Sequence, residues 1–208
     1  MTDKALMNRP IALIPYLLLA AFVAGGTLWR LGDLTAHRGV ESVSTGETVS
    51  LGGPFSLTDQ NGTVRTEKDF QGKYTLVFFG YTYCPDVCPT TLAVMAAALD
   101  KMGSRADEVV PLFITVDPKR DTPDKIKAYL SSFGPRFVGL TGKPEEIASV
   151  AKEYRVYYKE HAGENGGEYT VDHSGVVYLM DGRGKFISNY SLDTAPDMMA
   201  ADLLKRIH

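Results

Sequence analysis

Tyr74-Thr75-Leu76-Val77-Phe78-Phe79-Gly80 is a near-continuous apolar run rich in β-branched and aromatic residues, and Leu92, Met95, Ala96, Leu99 and Met102 follow it at helical spacing. The first segment reads as a strand buried on both faces, the second as an amphipathic helix stopped by Gly103. A buried strand feeding directly into a helix is the unit from which parallel α/β sheets are built.

Working outward, the same alternation continues. Val110 to Val116 predicts a second buried strand. Thr122-Pro123 predicts a helix start, with Thr as N-cap and Pro at the first helical position, and Ile126, Tyr129, Leu130 and Phe133 form its apolar face. Phe137 to Leu140 reads as a third strand, and Lys143-Pro144 opens a helix carrying Ile147, Val150, Ala151 and Tyr154. The pattern then changes: Val156 to Tyr158 reads as a strand, Lys159 to Tyr169 as a polar loop. Val176 to Met180 and Phe186 to Ser191 read as an antiparallel pair turning at Asp181 to Gly184. A last helix from Pro196 to about Ile207 is expected to open with Thr194-x-x-Asp197 as its cap. Upstream, Asp59-Gln60-Asn61-Gly62 separates two short runs as a hairpin would, and a short strand is expected around Thr48 to Leu51. The order predicts a thioredoxin-like α/β sandwich with an N-terminal strand and hairpin extension.

The chain has 208 residues, 44% hydrophobic and 23% charged, values of an ordinary globular domain that exclude a disordered, collagen-like or disulfide-stapled protein. Lys+Arg 22 against Asp+Glu 25 gives a formal charge of -3, which leaves no positive excess for a phosphate backbone and argues against nucleic acid as a partner. From Pro10 to Trp29 there is no charged residue, and about 20 such residues are what a helix needs to cross a hydrocarbon core. Lys4 and Arg9 precede this run, and Trp29-Arg30 close it with an interfacial pattern. Residues 1–9 are therefore expected in the cytoplasm, 10–29 as a transmembrane anchor, 30–47 as a tether and 48–208 as the exported domain. A cleaved secretory signal ending near Ala24-Gly25-Gly26 is the competing reading, and it exports the same domain. The segment ahead of the run is too short for a transit peptide, so the expected location is a bacterial inner membrane with the domain in the periplasm. Beyond residue 30 the chain carries 19 positive against 24 negative residues.

Both cysteines fall in Cys84-Pro85-Asp86-Val87-Cys88-Pro89, at the junction of the most buried strand with the helix after it. A spacing of four brings the sulfurs onto one face of a helical turn, close enough to bond each other or share one metal. A helix N-terminus also favours thiolate, the form that binds metal or attacks a disulfide. A third ligand has four histidine candidates. His37 lies in the tether and His208 ends the chain; His161 sits in the polar loop. His173, in Val171-Asp172-His173-Ser174-Gly175, stands just before the strand that would neighbour the cysteine-delivering one. Asp86 and Asp172 are candidates to orient ligands or meet a partner, or are solvated turn carboxylates. Met95, Met102, Met180, Met198 and Met199 fall at core spacing and read as packing residues.

Four segments together carry a resemblance: Gly52 to Leu57, Cys84 to Pro89, Val116-Asp-Pro-Lys-Arg-Asp-Thr122 and Val171 to Ser174. They are similar to the Sco (SenC) proteins, assembly factors of cytochrome c oxidase, over about residues 48–207. The resemblance implies a thioredoxin-like domain behind one membrane anchor, with one copper ion held by Cys84, Cys88 and His173. It implies a metallochaperone helping to build the dinuclear copper centre of cytochrome c oxidase subunit II, with other periplasmic copper chaperones or thiol reductants as further partners. Two thiolates and an imidazole suit Cu(I) and can also hold Cu(II), whereas zinc would want a fourth ligand. The alternative is a membrane-tethered thiol–disulfide oxidoreductase using Cys84 and Cys88 as its redox-active pair. Against it, the cysteine spacer has three residues where thioredoxin-type reductases have two, and His173-Ser174-Gly175 stands where they carry an X-Pro dipeptide.

Overall fold

The structure is a computed structural model that describes residues 50–163 and 167–207. The strands are β1 (Ser56–Asp59), β2 (Val64–Thr66), β3 (Tyr74–Gly80), β4 (Val109–Thr115), β5 (Val138–Thr141), β6 (Tyr158–His161), β7 (Thr170–His173), β8 (Val176–Met180) and β9 (Phe186–Ser191). Seven of them form one sheet in the order β2-β1-β5-β4-β3-β8-β9, while β6 and β7 pair only with each other. Strand β3 runs parallel to β4 and antiparallel to β8. Its position inside the sheet explains its unbroken apolar sequence, since every residue from Thr75 to Gly80 is buried.

Among the described residues, four α-helices accompany the sheet: α1 (Val87–Lys101), α2 (Pro123–Leu130), α3 (Pro144–Glu153) and α4 (Pro196–Arg206). Consecutive residues of β3 point to opposite faces, and both faces are covered. Phe78 meets the Phe113 ring, which in turn meets Tyr129 of α2; Phe79 meets Tyr154 at the end of α3. Helix α1 buries Cys88, Thr91, Leu92, Met95, Ala98 and Leu99, the expected stripe, and packs on α4. Helix α2 starts as predicted, the Thr122 hydroxyl accepting from the Lys125 amide with Pro123 at the first position. These elements make the thioredoxin-like α/β sandwich.

Several expectations need correction. The segment read as a polar loop contains β6, which pairs with β7 from Tyr158↔His173 to His161↔Thr170. This strand is exposed along most of its length, so no burial imposes the alternation by which strands are recognised. Val156 and Tyr157 lie ahead of it. Helix α4 is capped by Ala195 without a side-chain bond, and the Thr194 hydroxyl instead meets Ser191. Met198 is 69% exposed and packs in no core, unlike Met95, Met102, Met180 and Met199. Leu51 is not in a strand; Thr48, the anchor at 10–29, the tether, His37 and His208 lie outside the described residues. Among the described residues no helix is long and apolar enough to cross a membrane.

Replacing Phe79, fully buried on the face away from the cysteines, by Ala is expected to cost about 3–5 kcal/mol. Denaturant unfolding of the two chains measures this.

Candidate metal centre

Strand β3 ends at Gly80, and the chain turns through Tyr81-Thr82-Tyr83 to Cys84, whose amide donates to the Tyr81 carbonyl at 3.2 Å. Asp86 caps α1 and Cys88 is its second residue, so the Cys88 amide is one of the helix's free N-terminal donors. It points at the Cys84 Sγ, 3.4 Å away. On the other side of β3, β8 is preceded by Ser174 and Gly175, and these by His173 at the end of β7. The Nε2 of His173 lies 3.3 Å from the Cys88 Sγ. The two sulfurs and one imidazole nitrogen all fall within 4.8 Å of one another, and they are the metal-competent group among the described residues.

The imidazole is oriented by its surroundings. Its Nδ1 lies 3.3 Å from the Ser174 carbonyl; a carbonyl only accepts, so Nδ1 carries the proton and the Nε2 lone pair faces the sulfurs. The rings of Phe78 and Tyr81 meet the imidazole edge-on, each with centroids 5.9 Å away. Gly80 is needed for Cys88 to seat: a Cβ there would fall 2.8 Å from the Cys88 Sγ and 3.0 Å from the rings of Phe113 and Phe78. Cys88 is buried, Cys84 half-buried, and Cys84 and His173 line an open cleft of about 500 Å³ with Tyr81, Tyr157 and Leu192.

The two thiols are driven apart. A hydrogen bond from the Cys88 thiol is the largest influence on Cys84; with the Cys88 and Asp86 amides it outweighs burial and lowers the Cys84 pKa to about 3. The same bond, with burial, pushes Cys88 up. The expectation of an activated thiolate at the helix start thus holds for Cys84 alone.

Of the other candidates, His161 does not join the cysteines. Its Nε2 lies 3.0 Å from the Asp172 carboxylate, and both side chains are largely exposed. Asp172 therefore faces His161 and not the imidazole of His173. Asp86 is exposed and makes no side-chain cap bond.

Sequence reasoning missed two carboxylates behind the site. Asp121 is fully buried and accepts from the Thr82 amide at 3.0 Å, the Thr82 hydroxyl at 2.5 Å and the Thr115 hydroxyl at 2.6 Å. It thereby bolts the turn two residues before Cys84 to the end of β4, and burial holds its pKa up against those bonds. Asp117, also buried, accepts from Arg120 and from the Tyr169 hydroxyl. Both carboxylates belong to the segment from Val116 to Thr122, where the motif was visible but its role was not.

Because Cys84 is held as thiolate, its alkylation by iodoacetamide in the reduced chain should stay flat as the pH falls from about 8 to about 5, where an ordinary thiol slows roughly a thousandfold. Mass spectrometry of labelled Cys84 over that range is the check. A rate falling in step with hydroxide would contradict the assigned thiolate.

Comparison with known proteins agrees with this geometry. The family model described as SCO1/SenC matches residues 43–208. The chain is 38% identical over 217 residues to Protein SCO1 homolog 1, mitochondrial, of Arabidopsis thaliana, covering 99% of this chain and 64% of that protein. It is 40% identical over 154 residues to a SCO2-like protein of Rickettsia conorii, covering 74% and 75%. Among solved structures it is similar to copper-bound ScoI of Bradyrhizobium japonicum, with a TM-score of 0.71 and 52% identity over 76% of this chain and all of that one. Copper-bound yeast Sco1 matches with a TM-score of 0.70 and 39% identity over 76% of this chain and 88% of that one. With the family model matching most of its length, the chain belongs to the SCO1/SenC family.

Proposed function

We propose that this protein is a membrane-anchored copper metallochaperone, binding one copper ion through Cys84, Cys88 and His173 and passing it to cytochrome c oxidase subunit II. The observation that carries the reading is the meeting of two sulfurs and one correctly oriented imidazole nitrogen within 4.8 Å. Soft thiolates with one imidazole match copper, and three donors leave the shell short of the four that structural zinc takes. An incomplete shell opening on a cleft suits cargo that must leave again. Cys84, held as thiolate, and His173 line the cleft and meet an incoming ion first; buried Cys88 completes the set from behind. Release then proceeds by ligand exchange, a recipient's donors entering through the cleft as these let go. The similar ScoI and Sco1 structures contain copper, which supports the same cargo here.

The uncharged run from Pro10 to Trp29 supports a membrane anchor and a location at the bacterial inner membrane with the domain in the periplasm, beside the oxidase. The oxidoreductase reading keeps one point in its favour, the activated thiolate beside a second thiol. Its requirement differs, since thiol exchange needs only the two sulfurs, whereas a three-donor copper site needs the imidazole as well.

Under copper-limited growth, Cys88→Ser and His173→Ala should each lower oxidase activity by about tenfold or more, with restoration by added copper. Oxidase activity unchanged in both variants would contradict the chaperone reading. Activity lost in Cys88→Ser but retained in His173→Ala would favour the oxidoreductase.

A further inference from the structure

His173 reaches the cysteines from a ribbon that is not part of the main sheet. Strands β6 and β7 pair only with each other; β6 is largely exposed, and of β7 only Val171 is buried in the core. Something other than the sheet ladder must hold this ribbon against the cysteine turn.

Arg120 occupies that position. It comes from the segment after β4, and its guanidinium is mostly covered, with 14% side-chain exposure. Its Nε donates to the buried Asp117, and its Nη1 donates to the Tyr169 carbonyl at 2.9 Å. The guanidinium also lies against three tyrosine rings. The guanidinium carbon lies 3.6 Å from the centroid of Tyr169, 4.7 Å from Tyr83 and 5.8 Å from Tyr81. Two of the rings adjoin a metal donor, and the third leads into the strand that carries one. Tyr83 immediately precedes Cys84; Tyr81 meets the His173 imidazole edge-on; Tyr169 immediately precedes β7, the strand that ends at His173. The Tyr169 hydroxyl donates to the same Asp117 at 2.7 Å, so the cation and its counter-charge grip the ribbon together. Planar stacking and fixed donors are what a guanidinium supplies and an ammonium does not.

We infer that Arg120 is a positioning residue: one guanidinium joins the cysteine turn to the histidine ribbon and keeps His173 within reach of the two sulfurs. The inference rests on His173 being a copper ligand. All three donors take Cu(I), but the two soft thiolates supply most of its affinity, whereas Cu(II) gains most from the imidazole. Arg120 therefore governs how well the site retains Cu(II) relative to Cu(I), and with it the ease with which the third ligand leaves.

The test compares the full-length chain with His173→Ala, Arg120→Ala, Arg120→Lys and Tyr169→Leu. Each is loaded with Cu(I) or Cu(II), with the thiolate-to-Cu(II) charge-transfer spectrum, the affinities and the thermal midpoint measured. Arg120→Ala and Tyr169→Leu should both shift the Cu(II) spectrum toward that of His173→Ala, with Cu(II) affinity falling about tenfold or more and Cu(I) affinity falling less. Arg120→Lys should not restore the wild-type spectrum. Wild-type spectra in Arg120→Ala and Tyr169→Leu, beside an altered His173→Ala, would overturn the inference while leaving the ligand assignment standing. A His173→Ala spectrum identical to wild type would overturn the ligand assignment and the inference with it. Rescue by lysine would show that charge and not the stacked plane matters, which also overturns it. If Arg120→Ala does not fold, Tyr169→Leu decides the question from the ribbon side.

Discussion

The antiparallel pairing of β3 with β8 is the constraint on which the site depends. In that register Phe78 lies opposite Val177, so the end of β3 and the start of β8 arrive at the same edge of the sheet. The chain leaving β3 carries the cysteines, and the chain entering β8 has just passed His173. Donors 85 residues apart in sequence are thereby brought to 3.3 Å by backbone hydrogen bonding in the most buried part of the molecule. A slip of one residue would turn Val177 and the rest of β8 to the other face and separate the donors.

Around that pairing, polar groups do the finer placement. The Cys88 amide at the helix start and the Cys88 thiol stabilise the Cys84 thiolate. The Ser174 carbonyl fixes the imidazole tautomer. Asp121 and Asp117, both buried, tie the cysteine turn and the ribbon to the segment after β4. A buried carboxylate is tolerated because hydroxyl, amide or guanidinium donors surround it. Rigidity in this shell and openness in front suit a site that holds a soft ion firmly enough to select it and loosely enough to give it up.

Where burial imposes a pattern, the sequence was readable. Strand β3, the stripe on α1 and the Thr122-Pro123 start of α2 were legible because core packing and helix capping leave periodic or positional signals. Strand β6 was not, since an exposed two-stranded ribbon needs no alternation, and its polar residues look like a loop. Met198 shared helical spacing with core residues yet faces outward, because spacing alone does not say which side of a short helix is covered. Cys84 and Cys88 announced themselves by position at the strand-to-helix junction. His173 needed the family resemblance to be chosen as ligand over His161, and the structure adds the geometric reason: His161 turns to Asp172. The roles of Asp121 and Arg120 were invisible because they act through contacts 39 and 49 residues away in sequence.

The central claim is that one copper ion is bound by two sulfurs and one imidazole. Copper K-edge X-ray absorption of the full-length chain loaded with one equivalent of Cu(I) tests it most directly. The account predicts a first shell of two sulfur scatterers and one nitrogen, with imidazole outer-shell scattering that disappears in His173→Ala. A shell of sulfur alone in the wild-type chain, or a copper–copper vector at one equivalent, would contradict it.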